Sequence, residues 1–185
     1  MFMHSVRFAR EEDIPALERL IPLSVRGLQA SHYSVAQMEA AIGSVFGVDR
    51  QLIRDRTYFV VMEANELIGC GGWSKRKTLF GSDQHHATRD DAELDPESDP
   101  AHIRAFFIHP KHARRGVGRA IVEACESAIR AAGFRQIELA ATLPGEAFYQ
   151  ACGYLSGPRQ DVPLPNGLTL GIVRMTKRLP DKQNS

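Results

Sequence analysis

The chain has 185 residues, 23 Lys and Arg against 22 Asp and Glu, a formal charge of +1 and 43% hydrophobic residues. A chain of this length buries about 70% of its unfolded surface and needs neither disulfides nor a structural metal to fold. One domain over residues 1–185 is the simplest division. The near-neutral balance argues against a generic nucleic-acid binder, which shows a basic excess. No stretch approaches the ~20 apolar residues of a membrane helix, and Met1 to Asp13 lacks the apolar run of a secretory signal. Cys70, Cys125 and Cys152 sit in apolar patterns and read as reduced core thiols of a cytoplasmic protein.

Val6–Ala9 alternates as a short strand. Glu11, Glu12 and Asp13 precede Ile14, Leu17, Leu20 and Ile21, a first helix that Pro22 is expected to end or bend. Ser34 is placed to cap a second helix with Val35, Met38, Ala41, Ile42 and Val45 on its apolar side. Thr57–Glu63 and Leu67–Trp73 form a hairpin around a turn at residues 64–66. A long polar loop, residues 74–101, precedes the strand His102–His109, which Pro110 stops. The clearest helix spans Gly116–Ala132, with Ile121, Cys125 and Ile129 opposed to Arg119, Glu123 and Arg130. Gln136–Ala141 is a strand and Pro144–Ala151 a short helix. Tyr154 opens another strand, and Leu168–Lys177 is the last, followed by a short tail, 179–185. This order predicts one mixed α/β layer structure.

Charge is unevenly distributed along the chain. Residues 83–100 hold seven acids and one base, a local charge of −6, while residues 101–120 hold five bases and no acid. The basic run surrounds Gly116-Val-Gly118, between a strand and a strong helix. Glycines there let backbone approach a ligand. The first N–H groups of a helix lack intrahelical acceptors and carry the positive end of its dipole, which suits phosphate. Arg114, Arg115 and Arg119 add charge to that site. No Gly-Lys-Ser/Thr and no G-x-G-x-x-G with a following acid is present, so the ligand is neither a P-loop nucleotide nor a dinucleotide.

The run Ile103-Arg-Ala-Phe-Phe-Ile-His-Pro-Lys-His-Ala-Arg-Arg-Gly-Val-Gly-Arg-Ala120 resembles motif A of the GNAT superfamily of acyl-CoA-dependent N-acetyltransferases, a strand followed by Gln/Arg-x-x-Gly-x-Gly/Ala and a helix. Ala147-Phe-Tyr-Gln-Ala-Cys-Gly-Tyr154 is similar to that family's F-Y-x-x-x-G-F/Y segment. The resemblance covers residues 5–178. Ala113 departs from it, standing where the family has Gln or Arg. The implied fold is α/β (α+β), a single-domain GNAT-like fold. Its mixed, mostly antiparallel seven-stranded sheet is splayed between strands 4 and 5 and flanked by about four helices.

The implied activity is transfer of an acetyl group from acetyl-CoA to a primary amine by direct attack. The alternative of another class is a non-catalytic acyl-CoA sensor or interaction module. By the same resemblance, the cofactor lies on Phe106, Phe107, Ile108, Arg114, Arg115, Gly116, Val117, Gly118 and Arg119, with Ile108 N–H as oxyanion donor. Tyr149 matches the family's general acid. His102 matches the position of a base in some members; Asp99, Glu97 and a water chain stay open beside it. Alternation places His102, Arg104, Phe106 and Ile108 on one strand face. His85-His86 fits no zinc pattern, so no metal is expected. Trp73 reads as packing at the groove rim, Arg26 would suit an acceptor carboxylate, and the acidic loop would attract a cationic acceptor. Neither nucleic acid nor membrane is an expected partner, and the last strand, Leu168–Met175, offers an edge for a homodimer.

Overall fold

The computed structural model describes residues 4–79 and 92–180. Seven strands, β1 (Ser5–Phe8), β2 (Tyr58–Glu63), β3 (Glu66–Ser74), β4 (Ala101–Ile108), β5 (Gln136–Thr142), β6 (Leu155–Pro163) and β7 (Thr169–Arg178), form one sheet of order β1-β2-β3-β4-β5-β7-β6. Every neighbouring pair is antiparallel except β4 and β5, which run parallel. Strand β7 therefore lies inside the sheet, and the edge expected at residues 168–175 belongs to β6 instead.

The helices α1 (Ile14–Leu28), α2 (Val35–Ala41) and α3 (Arg50–Arg54) cover one face, and α4 (Val117–Ala131) and α5 (Glu146–Ala151) the other. The described residues form five helices, close to the four or so expected. The additional one, α3, is a single turn capped by Asp49, too short to show a periodic face. Helix α1 runs through Pro22 to Leu28 without ending there, because its buried stripe of Leu17, Leu20, Ile21, Ser24 and Val25 continues across the proline and packing holds it. Leu17, Ile21, Tyr58, Val60 and Phe107 share a core with Leu170 and Ile172 on this side. On the other side Ile121, Cys125 and Ile129 of α4 pack on Val61, Ile68, Ile103, Ile137 and Leu139.

Strand β4 is bulged. Register with β3 shifts between Cys70 and Gly72, and Ala105 takes a φ of +56°. The alternation expected along β4 therefore breaks. Ile103, Phe106 and Ile108 pack toward α4, while Ala105 and Phe107 pack toward α1 and α2. Arg104 pairs with Asp49, the cap of α3, at 2.9 Å, both side chains buried. His102 and Arg104 thus do not share a face with Phe106 and Ile108. The bulge is held from below. The Tyr58 hydroxyl donates to the Ala105 carbonyl at 3.1 Å and lies 3.3 Å from Cys70 Sγ.

Strands β4 and β5 pair only over Ala101–Ile103 against Ile137–Leu139. Beyond Ile103 they part, and among the described residues the rest of β4 has no strand partner on that side. The first helical layer reaches across this gap. Tyr33, between α1 and α2, donates its hydroxyl to the Gly171 carbonyl of β7 (2.7 Å) and accepts from the Leu143 N–H just past β5 (2.8 Å). Gln37 and Asn166 add bonds between α2 and the β6–β7 hairpin.

Removing the Tyr58 hydroxyl leaves the Ala105 carbonyl without that donor inside the core. Tyr58→Phe is expected to lower stability by about 1–3 kcal/mol, read as a reduced urea midpoint at unchanged slope.

Candidate active site

Beyond β4, Pro110–His112 form one short helical turn and the chain then enters α4. Arg114 (φ +61°) and Gly116 (φ +83°) both turn left-handed. This winding exposes the four N-terminal N–H groups of α4, which have no intrahelical acceptors. A Cβ at Gly116 would meet nothing within 4 Å, so glycine serves conformation there. A Cβ at Gly118 would lie 3.0 Å from the Phe148 ring, so glycine serves packing there.

A cleft of about 730 Å³ opens where β4 and β5 part. Phe106, Phe107, Ile108, Arg114, Gly116, Gly118, Arg119 and Tyr149, eight of the residues singled out in the sequence, line it together with Ala113. Arg114 and Arg119 are exposed at the end of the cleft beside the α4 N-terminus. Arg115 faces elsewhere: its guanidinium meets Glu63 at 3.2 Å and His112 Nδ1 at 2.9 Å, bracing the loop from the end of β2. Val117 is buried in the core beneath α4. Neither Arg115 nor Val117 lines the cleft.

Tyr149 sits on α5, its ring against Phe106 (5.8 Å), Phe148 (5.0 Å) and Tyr154 (5.7 Å). Burial, reinforced by neighbouring Cys125 and Cys152, pushes its phenol well above the ordinary value. At neutral pH it is a proton donor and not a base.

The expected oxyanion donor is engaged. Ile108 N–H donates to Ser24 Oγ of α1 at 3.1 Å. His102 is 6% exposed, does not line the cleft, and has Nδ1 3.4 Å from the Thr78 carbonyl. Burial lowers its pKa first, and the nearby Arg104 and Arg174 add to this. Glu97 is exposed, and Asp99 accepts from Asp95 N–H at 2.8 Å; neither lines the cleft. Arg26 forks onto Glu39 at 2.7 and 2.8 Å, so it is not held ready for a carboxylate. Trp73 belongs to the core against Phe134 at 6.0 Å and is no part of the rim. His85, His86 and the acids Asp83, Asp90 and Asp91 lie outside the described residues. Among the described residues no group of three or more His, Cys, Asp or Glu could hold a metal ion, and no helix is long and apolar enough to cross a membrane.

The cleft passes through the sheet. Phe106, Phe148 and Tyr149 belong to its α4 face, and Phe46 and Phe107 to the α1–α2 face. Leu28, Gln29 and Val45 complete the second wall. The resemblance pointed to residues 24–34 for acceptor contacts, a span that holds Leu28 and Gln29, while Val45 was read only as part of the apolar side of the second helix.

A sheet splayed between its fourth and fifth strands, with a glycine-turned helix start at one end of the cleft, is the arrangement that the resemblance to acyl-CoA-dependent transferases implied. A family model for the acetyltransferase (GNAT) family matches residues 28–154, and the chain belongs to that family. Among solved structures it is similar to a GCN5-related N-acetyltransferase from Rhodopseudomonas palustris (TM-score 0.71, 22% identity, 97% of this chain and 98% of that one). The PaiA N-acetyltransferase of Thermoplasma acidophilum, solved in complex with coenzyme A, superposes at a TM-score of 0.61 with 13% identity, over 95% and 99% of the two chains. YncA of Salmonella typhimurium, with its cofactor acetyl-CoA, does so at 0.60 with 15% identity, over 99% and 98%. No curated protein matches the sequence.

Two outcomes follow from the geometry. Gly116→Ala is expected to cost about 1–2 kcal/mol of stability through its left-handed backbone and to leave Phe148 in place. Gly118→Ala must displace Phe148, and so should weaken coenzyme A binding more than it lowers Tm. Calorimetric titration and thermal melts distinguish the two. His102 contributes stability as a neutral ring. That contribution is full above its ordinary pKa of about 6.5 and drains as pH falls through it toward the lower folded value. His102→Gln should flatten the acid side of the stability–pH curve, measured by urea unfolding between pH 7.5 and 5.

Proposed function

We propose that this chain moves an acetyl group from acetyl-CoA to a primary amine of a small molecule or peptide by direct attack. The observation that carries the reading is the parting of β4 and β5 after Ile103, which opens one cleft between the N-terminus of α4 and Tyr149. Acetyl-CoA supplies the acetyl group and a thiolate leaving group. The residues present fit it. The α4 N-terminus, Arg114 and Arg119 suit a pyrophosphate. The edge of β4 left without a strand partner among the described residues suits pantetheine amides, which need backbone partners once removed from water. A volume of about 730 Å³ falls within the range of ligand clefts.

In this reading the two substrates meet within the sheet, the thioester entering from the α4 face and the amine from the α1–α2 face. Tyr149 donates its phenolic hydrogen to the sulfur as charge develops there. It recovers a proton from the amine nitrogen, so the products are an amide and a thiol. A phenol kept protonated by burial suits donation and not abstraction. No His, Asp or Glu lines the cleft among the described residues. In this reading the amine reaches its neutral form by losing a proton to water, and His102, buried against the Thr78 carbonyl, has a structural role. Three buried free cysteines suit the reducing cytoplasm.

Tyr149→Phe should keep coenzyme A affinity within a factor of two and lower kcat about 100-fold, followed as free-thiol release with a panel of amines. Tight acetyl-CoA binding with no thiol release on any amine would favour a binding module. The acid limb of the pH–rate profile should survive His102→Gln; its loss would return the base role to that residue.

A further inference from the structure

The α1–α2 wall of the cleft carries a polar side chain that the fold does not use. Gln29 caps the end of α1 and is 7% exposed, yet it lines the cleft. Its backbone is fully committed. The N–H donates to the Val25 carbonyl at 3.0 Å, and its own carbonyl accepts from His32 and Tyr33 at 3.0 and 3.1 Å. Its side-chain Oε1 is buried with no hydrogen-bond partner. A buried acceptor without a partner is costly and rare in folded proteins. A carboxamide turns readily about its last bond and can present either oxygen or nitrogen to a ligand in the cleft.

The surroundings restrict what that ligand is. Leu28, Val45, Phe46 and Leu79 make this wall apolar, and Phe46 packs edge-on against Phe107 at 5.9 Å. Arg104 borders it but is ion-paired with Asp49. The described part of this wall is thus matched to an apolar body carrying one amine.

We propose that Gln29 is the acceptor-positioning residue: its carboxamide oxygen takes an N–H of the incoming amine, and the apolar wall selects monoamines with an aromatic or branched aliphatic body. This rests on the acetyl-transfer reading for its chemistry, and on the cleft alone for binding.

The test is calorimetric titration of phenethylamine and of spermidine into protein saturated with coenzyme A, beside thiol release from acetyl-CoA with the same amines. Phenethylamine should bind at least tenfold more tightly than spermidine. Gln29→Leu should weaken phenethylamine at least tenfold, raise its KM by a similar factor and leave coenzyme A affinity unchanged. Because Oε1 has no partner to lose, Gln29→Leu should keep or raise Tm, whereas a structural glutamine would lower it. Gln29→Glu, which keeps an acceptor oxygen, should restore most of the phenethylamine affinity. Tighter binding of spermidine, no binding of either amine, or an unchanged phenethylamine affinity in Gln29→Leu overturns the proposal. Gln29-dependent binding without thiol release supports the subsite and overturns acetyl transfer. Thiol release that is the same in wild type and Gln29→Leu overturns the subsite and leaves acetyl transfer standing.

Discussion

The backbone of Ala105, turned to a positive φ in the middle of β4, is the constraint on which the cleft depends. A regular strand would carry one side-chain alternation through residues 101–108. The inserted residue exchanges the faces halfway along. Before the bulge, Ile103 completes the core under α4 while Arg104 reaches the Asp49 carboxylate on the opposite side. After it, Phe106 and Ile108 take the α4 side. One strand thereby serves a buried ion pair at its start and a ligand cleft at its end. A left-handed alanine in a strand is strained, and the Tyr58 hydroxyl on its carbonyl helps hold it.

From that point the two halves of the sheet need something other than each other. Strand β5 pairs with β7 along its whole length but with β4 over three residues. The gap is bordered on one face by α4 and α5, whose aromatic residues Phe148 and Tyr149 pack on Phe106. On the other face it is bordered by the segment following α1, through Gln29 and Phe46. The loop before α4 is set in the same way from two sides. Its glycines shape the front, and the Glu63–Arg115–His112 contacts brace the back. A cluster of basic residues in sequence is therefore divided by function in space: Arg114 and Arg119 face the cleft, while Arg115 holds the loop.

Much of this was legible in the chain. The periodicity of α4, the hairpin of β2 and β3 and the G-x-G after β4 each carry a local signal that survives folding. The end of the cleft at the α4 N-terminus was accordingly visible, because a helix start and its glycines are contiguous in sequence. The bulge was not. Residues 102–108 alternate convincingly, and only the mismatch with β3 reveals the extra residue. His102 gave a misleading signal for that reason, since its place relative to the cleft depends on the parity of a strand whose parity changes. The chemistry of the wall at Leu28, Gln29 and Val45 was invisible for a different reason. Its residues are separated by a turn and a helix, and their chemistry appears only once α1 and α2 fold over the sheet.

The Tyr33 hydroxyl ties the segment between α1 and α2 to the far half of the sheet, giving its hydrogen to Gly171 of β7 and taking one from Leu143 just past β5. An oxygen used in both directions tolerates little stretching at either bond. It acts as a caliper, fixing the separation between the segment after α1 and the far half of the sheet to within a few tenths of an ångström. The spacing on that face is then a property of backbone held by one phenol, and not of how the apolar side chains pack. Substitutions in the wall change its shape without altering how wide it stands.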